Sequence, residues 1–169
     1  MSIQQDVIKP VAPAYIELFE LDLTSIPALA TSIYYFTPSS GTALTWGGNT
    51  YQPWAIQIEG IEASADGAPA RPTLSIGNLD ANKLIGALVF GYGDIVGAKV
   101  KYIRTFEPYL GTSSSLPPIT YYISKKTSHN QSIIQFELRS PLDKERAYLP
   151  GRQILKRDFP GVGGSKSYR

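Results

Sequence analysis

The chain has 169 residues, enough for one domain, or for one domain with an arm. It has no cysteine, which excludes disulfides, thiolate metal sites, iron–sulfur ligation and cysteine nucleophiles within it. The net charge is +2, yet residues 152–169 hold five bases (Arg152, Lys156, Arg157, Lys166, Arg169) against Asp158 alone. The rest is therefore net acidic, and an acidic body with a short basic tail is not the footprint of a nucleic-acid groove.

Residues 1–13 are expected to form an arm, because Pro10 and Pro13 disfavour regular structure and nothing periodic precedes them. No basic leader precedes an apolar run, so no signal peptide is expected. No stretch approaches the roughly 20 apolar residues of a membrane span, which places the free chain in the cytoplasm.

A β-rich domain is expected over 14–152. Tyr15 to Leu21 predicts a strand with apolar positions on both faces, as between two layers. Ile33 to Phe36 predicts a second, stopped at Pro38. Leu44-Thr45-Trp46 and Thr50-Tyr51-Gln52 flank Gly47-Gly48-Asn49, which predicts a tight hairpin with a small bulge or a three-residue loop. Ile56 to Glu59 alternates as a strand, residues 63–70 read as a loop, and Arg71 to Ile76 returns to a strand with Pro72 confined to its entry or edge. Asp80 is a candidate cap for a helix from Ala81 to about Val89, with Leu84, Ile85, Leu88 and Val89 as its apolar stripe.

Further on, Ala98 to Arg104 predicts a strand with Val100, Tyr102 and Arg104 on one face and Lys99, Lys101 and Ile103 on the other. Residues 108–118 form a long exposed loop. Ile119 to Lys126 and Ser132 to Arg139 form two strands joined across 127–131, and 153–169 is a basic extended tail that orders on a partner. About eight strands with one helix predict a mainly β fold, a sandwich or partly closed barrel with one packed helix.

No motif carries chemistry. His129, the single histidine, sits in a polar turn beside Ser128 with no recognisable triad partner. Glu17 with Glu20 and Glu59 with Glu62 are the obvious carboxylate pairs for glycoside hydrolysis. A spacing of three places such a pair on opposite strand faces, unless a bulge at Gly60 resets the second. Gly91-Tyr92-Gly93-Asp94 and Gly161-Val162-Gly163-Gly164 lack the lysine and hydroxyl that close a phosphate loop. Trp46 and Trp54 flank the hairpin; core packing and a protein-contact role both remain open for them. Arg71 is either a solvated strand-entry residue or a partner for a neighbouring subunit's carboxylate.

One ordered set of segments points further. Leu21-Asp22-Leu23-Thr24, Thr45-Trp46 with Tyr51-Gln52-Pro53, Arg71-Pro72-Thr73-Leu74 with Asn78-Leu79, Asp94 to Val100, and Leu149-Pro150-Gly151-Arg152 together resemble the minor tail protein L family of long-tailed, non-contractile bacteriophages. The resemblance covers most of residues 21–155. It implies a non-enzymatic virion protein of the tail tip, with a β domain similar to hub and tail-tube domains. It implies three copies in a ring between the distal tail protein ring and the central hub, or tip attachment, protein, with the tape measure protein as a further neighbour.

Family members continue past the Pro-Gly-Arg element into a cysteine-rich domain holding an iron–sulfur cluster. This sequence has no cysteine, so no cofactor and no metal is expected. The contact residues expected from loops, tryptophans and tail are Trp46, Trp54, Arg71, Pro72, Tyr109, Leu110, Arg152, Lys156, Arg157, Phe159 and Tyr168. The readings set against a tail-tip assembly role are a tail-delivered wall hydrolase and a nucleic-acid-binding module built on Lys99 to Arg104.

Overall fold

The computed structural model describes residues 13–61, 71–78, 84–112 and 114–143. Nine strands form one sheet: β1 (Tyr15–Asp22), β2 (Ile33–Thr37), β3 (Leu44–Trp46), β4 (Asn49–Pro53), β5 (Ile56–Glu59), β6 (Thr73–Gly77), β7 (Lys99–Phe106), β8 (Ile119–His129) and β9 (Ile133–Arg139). Their order is β3-β4-β2-β1-β7-β8-β9-β6-β5. All neighbours are antiparallel except β2 and β4. The one α-helix among the described residues, α1 (Leu84–Gly91), packs on the core. The mainly β architecture with one packed helix is the expected one.

The sheet curls but does not close by pairing. Its ends are nonetheless tied by the chain, because β4 runs through Trp54-Ala55 directly into β5 at the opposite end. At this seam the Trp54 amide donates to the Thr37 carbonyl (2.9 Å) and the Gly77 amide to the Ala55 carbonyl (2.6 Å). A single bent segment therefore lies between β2 and β6.

Two apolar clusters follow from the alternation of the strands. The main core takes Phe19, Leu21, Leu74, Ile76, Val100, Ile123, Ile134, Phe136 and Leu138 from the sheet, and Ile85, Leu88 and Val89 from α1. The second takes Ile16, Leu18, Tyr51 and Ile103, with Leu44, Trp46 and Leu110 packed against it. β1 is thus buried on both faces, as its two-sided apolar pattern predicts.

Two local readings change, and a third cannot be placed. The β3–β4 register pairs Trp46 with Asn49, so the loop is two residues, Gly47-Gly48, with φ of 59° and 82°. Positive φ at both central positions is the type I′ requirement, which two glycines meet without steric cost. β8 runs on to His129, so the histidine ends a strand rather than occupying the turn. The Asp80 cap and the first helical residues lie outside the described residues. Within them, Asn78 Oδ1 accepts the Gly86 amide at 3.1 Å, a side chain binding the helix from the strand that precedes it.

Between α1 and β7 three consecutive residues turn left-handed: Gly93 (φ 59°), Asp94 (59°) and Ile95 (49°). A non-glycine residue there costs about 1–2 kcal/mol. Ile95 is fully buried, and Lys126 Nζ holds Asp94 Oδ1 at 2.5 Å, so packing and an ion pair oppose the strain.

Candidate interaction surface

The polar groups that chemistry needs are already engaged in structure. Glu17 and Glu20 face opposite sides of β1, as their spacing requires. Glu17 accepts from the Tyr102 hydroxyl. Glu20 accepts from the Tyr51 hydroxyl at 2.7 Å and from Lys101 Nζ at 3.1 Å. Burial first, then these hydrogen bonds to carboxylates, push both phenols well above their ordinary pKa. Such carboxylates sit on separate faces and cannot flank one bond. Glu59 is bonded to Gln57 Nε2 at 2.9 Å, and Glu62 lies outside the described residues.

On β7, Lys101 pairs with Glu20, and the Arg104 guanidinium lies over the Tyr102 ring at 5.7 Å. Lys101 and Arg104 are thus engaged within the chain and Lys99 is half-buried, so the strand presents no fully exposed basic stripe of the kind a nucleic-acid strand would track. Among the described residues no cluster of His, Asp or Glu is arranged to hold a metal ion. No described helix is long and apolar enough to cross a membrane.

The contact residues expected from sequence are dispersed. Trp46 packs edge-on to Tyr51 in the second cluster (6.4 Å, 69°), while Trp54 packs on Phe36 (5.1 Å) and donates its indole N–H to the Gly77 carbonyl (2.9 Å). Both are half-buried, so each serves a core, and Trp54 also lines an open pocket. Arg71 is exposed and reaches Glu137 (3.5 Å) and Asp143 (3.3 Å) of its own chain. Pro72 is buried, and its carbonyl accepts the Leu138 amide (2.8 Å). Tyr109 and Leu110 are half-buried in a short 3-10 turn, with Leu110 on the second cluster. Arg152, Lys156, Arg157, Phe159 and Tyr168 lie outside the described residues, as does the 63–70 loop.

Sequence reasoning missed the most exposed large apolar side chain among the described residues. Phe90 on α1 is 80% exposed, with Tyr92 (37%) and Val96 (46%) following in the chain and Ile133 (46%) at the start of β9. The signal was available: at 3.6 residues per turn Phe90 falls about 170° from the centre of the stripe formed by Leu84, Ile85, Leu88 and Val89. Its ring meets His129 at 5.0 Å, and Lys126 Nζ stands 6.0 Å from it.

Two concavities lie on either side of the β8–β9 hairpin tip. One, of about 690 Å³, is walled by Phe90 itself with Asn78, Ala87, His129, Asn130 and Gln131. The other, of about 360 Å³, is lined by Trp54, Ile56, Gln57, Ser75, Ser132 and Ile133 at the seam. Exposed apolar groups beside open concavities, with the polar groups paired off, are the marks of a surface that binds other proteins.

A β domain of this kind, built to present surface rather than to react, is a structural module. The model of the phage minor tail protein L family matches residues 28–162, and the chain belongs to that family. It is therefore a structural phage tail protein and not an enzyme. It is 30% identical over 161 residues to the tail tip protein L of Escherichia phage lambda, in an alignment covering 84% of this chain. The chain spans 65% of the length of that relative.

Proposed function

We propose that this chain is a subunit of the phage tail tip, where three copies form a ring linking the distal tail protein ring to the central hub, or tip attachment, protein. The relative's own name, a tail tip protein, carries this reading. The exposed apolar side chains at the α1 end agree with it, since a ring subunit must bury surface against neighbours while its own core is already complete.

In this reading residues 14–152 are the wedge of the ring. The segments 1–13 and 153–169 reach adjacent proteins, the tape measure protein among them. The 169 residues hold no cysteine, so they supply no thiolate ligand to an iron–sulfur cluster. It joins the virion tail from the host cytoplasm.

Antibody-labelled electron microscopy of purified virions tests this. Label confined to the tail tip is the expected result. Absence of label on intact and tip-disrupted particles, with the antigen detected separately in lysate, overturns the reading. Deletion of 156–169 is expected to leave a folded domain and to lower the yield of assembled tails.

A further inference from the structure

The larger concavity, beside Phe90, mixes two kinds of wall. Its one large apolar group is the phenyl ring, 80% exposed. Facing it are three side-chain amides, Asn78, Asn130 and Gln131, with the His129 imidazole. The ammonium of Lys126, which also lines the cavity, is held by Asp94 at 2.5 Å, so no unpaired lysine, arginine or carboxylate faces a ligand there.

The amides decide what fits. Each offers both a donor and an acceptor. An apolar side chain of another protein, pressed onto Phe90, would strip water from them and leave them unpaired, a penalty on each. A nucleotide would bring a phosphate for which no free cation waits. A sugar ring answers both walls. Its hydroxyls donate to and accept from amides, and its C–H face lies on the electron-rich face of the phenyl ring. We propose that this cavity is a carbohydrate site for a neutral pyranose unit of a glycan, with Phe90 as the stacking platform and Asn78, Asn130 and Gln131 as the groups that bind hydroxyls.

The parts are held in place before any ligand arrives. Asn78 is 4% exposed; its Oδ1 accepts the Gly86 amide and its own backbone amide donates to the Ser132 carbonyl (2.8 Å). Its Nδ2 donor is bonded to no acceptor among the described residues, which leaves it for a hydroxyl. A Cβ at Gly86 would meet both atoms of that amide at 3.0 Å, so a glycine there lets the amide lie against α1. The Asn130 backbone amide donates to the Ile133 carbonyl (2.9 Å) and fixes the tip that carries Asn130 and Gln131. His129 braces the Phe90 ring at 5.0 Å. A volume of about 690 Å³ is that of a small-ligand site. Tyr92 and Val96 do not line the cavity and remain for contacts with neighbouring tail proteins. The proposal goes beyond the ring reading and does not depend on it.

Nuclear magnetic resonance titration of the full chain tests it, with maltotriose, lactose and triacetylchitotriose as probes. These present glucose, galactose and N-acetylglucosamine units, which separates a hexose polymer from an amino-sugar polymer as the source. Saturable shifts of the Asn78, Asn130 and Gln131 side-chain amides are expected with at least one probe, at an affinity on the order of 1 mM. Phe90 is exposed, so its variants should fold, which circular dichroism checks. Phe90→Tyr should keep the binding, whereas Phe90→Leu, apolar but not aromatic, should weaken it about tenfold or more. Gln57→Ala, in the seam pocket, should leave it unchanged. No saturable shift with any probe overturns the proposal and leaves the ring reading standing. So do shifts confined to the seam pocket, full binding by Phe90→Leu, or tighter binding of adenosine or thymidine than of every sugar.

Discussion

Gly77→Ala tests the seam that curls the sheet. A Cβ built at Gly77 meets the Ala55 Cβ at 2.9 Å and the Ala55 carbonyl oxygen at 3.2 Å. Carbon atoms pack best at about 3.5–4.0 Å, so something must move. Retreat is opposed on three sides, because the Gly77 amide is bonded to Ala55, its carbonyl accepts the Trp54 indole, and the next amide, of Asn78, is bonded to Ser132. Overpacking of this kind costs about 1–3 kcal/mol. Reduced freedom of the unfolded chain returns about 0.4–1 kcal/mol, since no positive φ forbids alanine at this position. The net loss should be about 1–2 kcal/mol, or a fall in Tm of roughly 2–8 °C for a domain of this size.

Thermal and urea unfolding followed by Trp54-sensitive near-ultraviolet dichroism reads this loss. Ala55→Gly removes the 2.9 Å contact and leaves the carbonyl oxygen at 3.2 Å and the Ala55 Cα at an ordinary 3.8 Å. The double variant should therefore be more stable than the sum of the single losses implies, by more than about 0.5 kcal/mol. A Gly77→Ala protein within about 0.3 kcal/mol of wild type, or strictly additive losses in the double variant, would refute the seam geometry.

Leu18→Ala, at a fully buried position of the second cluster, should cost about 2–5 kcal/mol, while Val96→Ala at an exposed position should change stability by less than about 0.5 kcal/mol; urea unfolding compares them. Trp46 carries a buried indole N–H with no acceptor among the described residues, so Trp46→Phe forfeits only the packing of the lost ring atoms at a half-buried site and should cost less than Leu18→Ala; a loss exceeding that of Leu18→Ala would count against an unbonded N–H. The Tyr51 and Tyr102 phenols have pKa values raised by folding, so the neutral forms stabilise the native state fully below the unfolded value near 10.0, and this contribution is lost as pH rises beyond it. Wild type should therefore lose Tm between pH 10 and 11 more steeply than the double variant Tyr51→Phe with Tyr102→Phe, and parallel curves would count against the assignment.

The elements readable from sequence were those whose signal is local. β1 announces burial on both faces because apolar residues occupy both alternating sets, and the structure fills one with Phe19 and Leu21 and the other with Ile16 and Leu18. The α1 stripe was equally plain. The seam was not, since nothing in Pro53-Trp54-Ala55 says that the strands before and after it will lie at opposite ends of one sheet. Arg71 shows the same limit. Its charge suggested a partner, but only the fold brings Glu137 and Asp143, more than sixty residues away in sequence, within 3.5 Å and 3.3 Å. The contact surface was the least legible, because exposure belongs to the folded molecule. Phe90 could still have been singled out by its position opposite the stripe.

Three of the segments that carry the family resemblance fall where the backbone is closely constrained. Thr45-Trp46 through Gln52-Pro53 spans the I′ turn with its two positive-φ glycines and enters the seam. Arg71 to Leu74 opens the strand that receives the seam from the other side, and Pro72 hands its carbonyl to Leu138 as pairing with β9 begins. Asp94 to Val100 begins with the left-handed turn, in which a buried isoleucine is held at a φ that costs about 1–2 kcal/mol. Each resists substitution for a reason internal to the fold: a conformation few residues adopt, or a close approach with no room for a larger group. Phe90 answers to no such demand at its exposed helix position, whereas Trp54 and Ile56 are held by the core on which they pack.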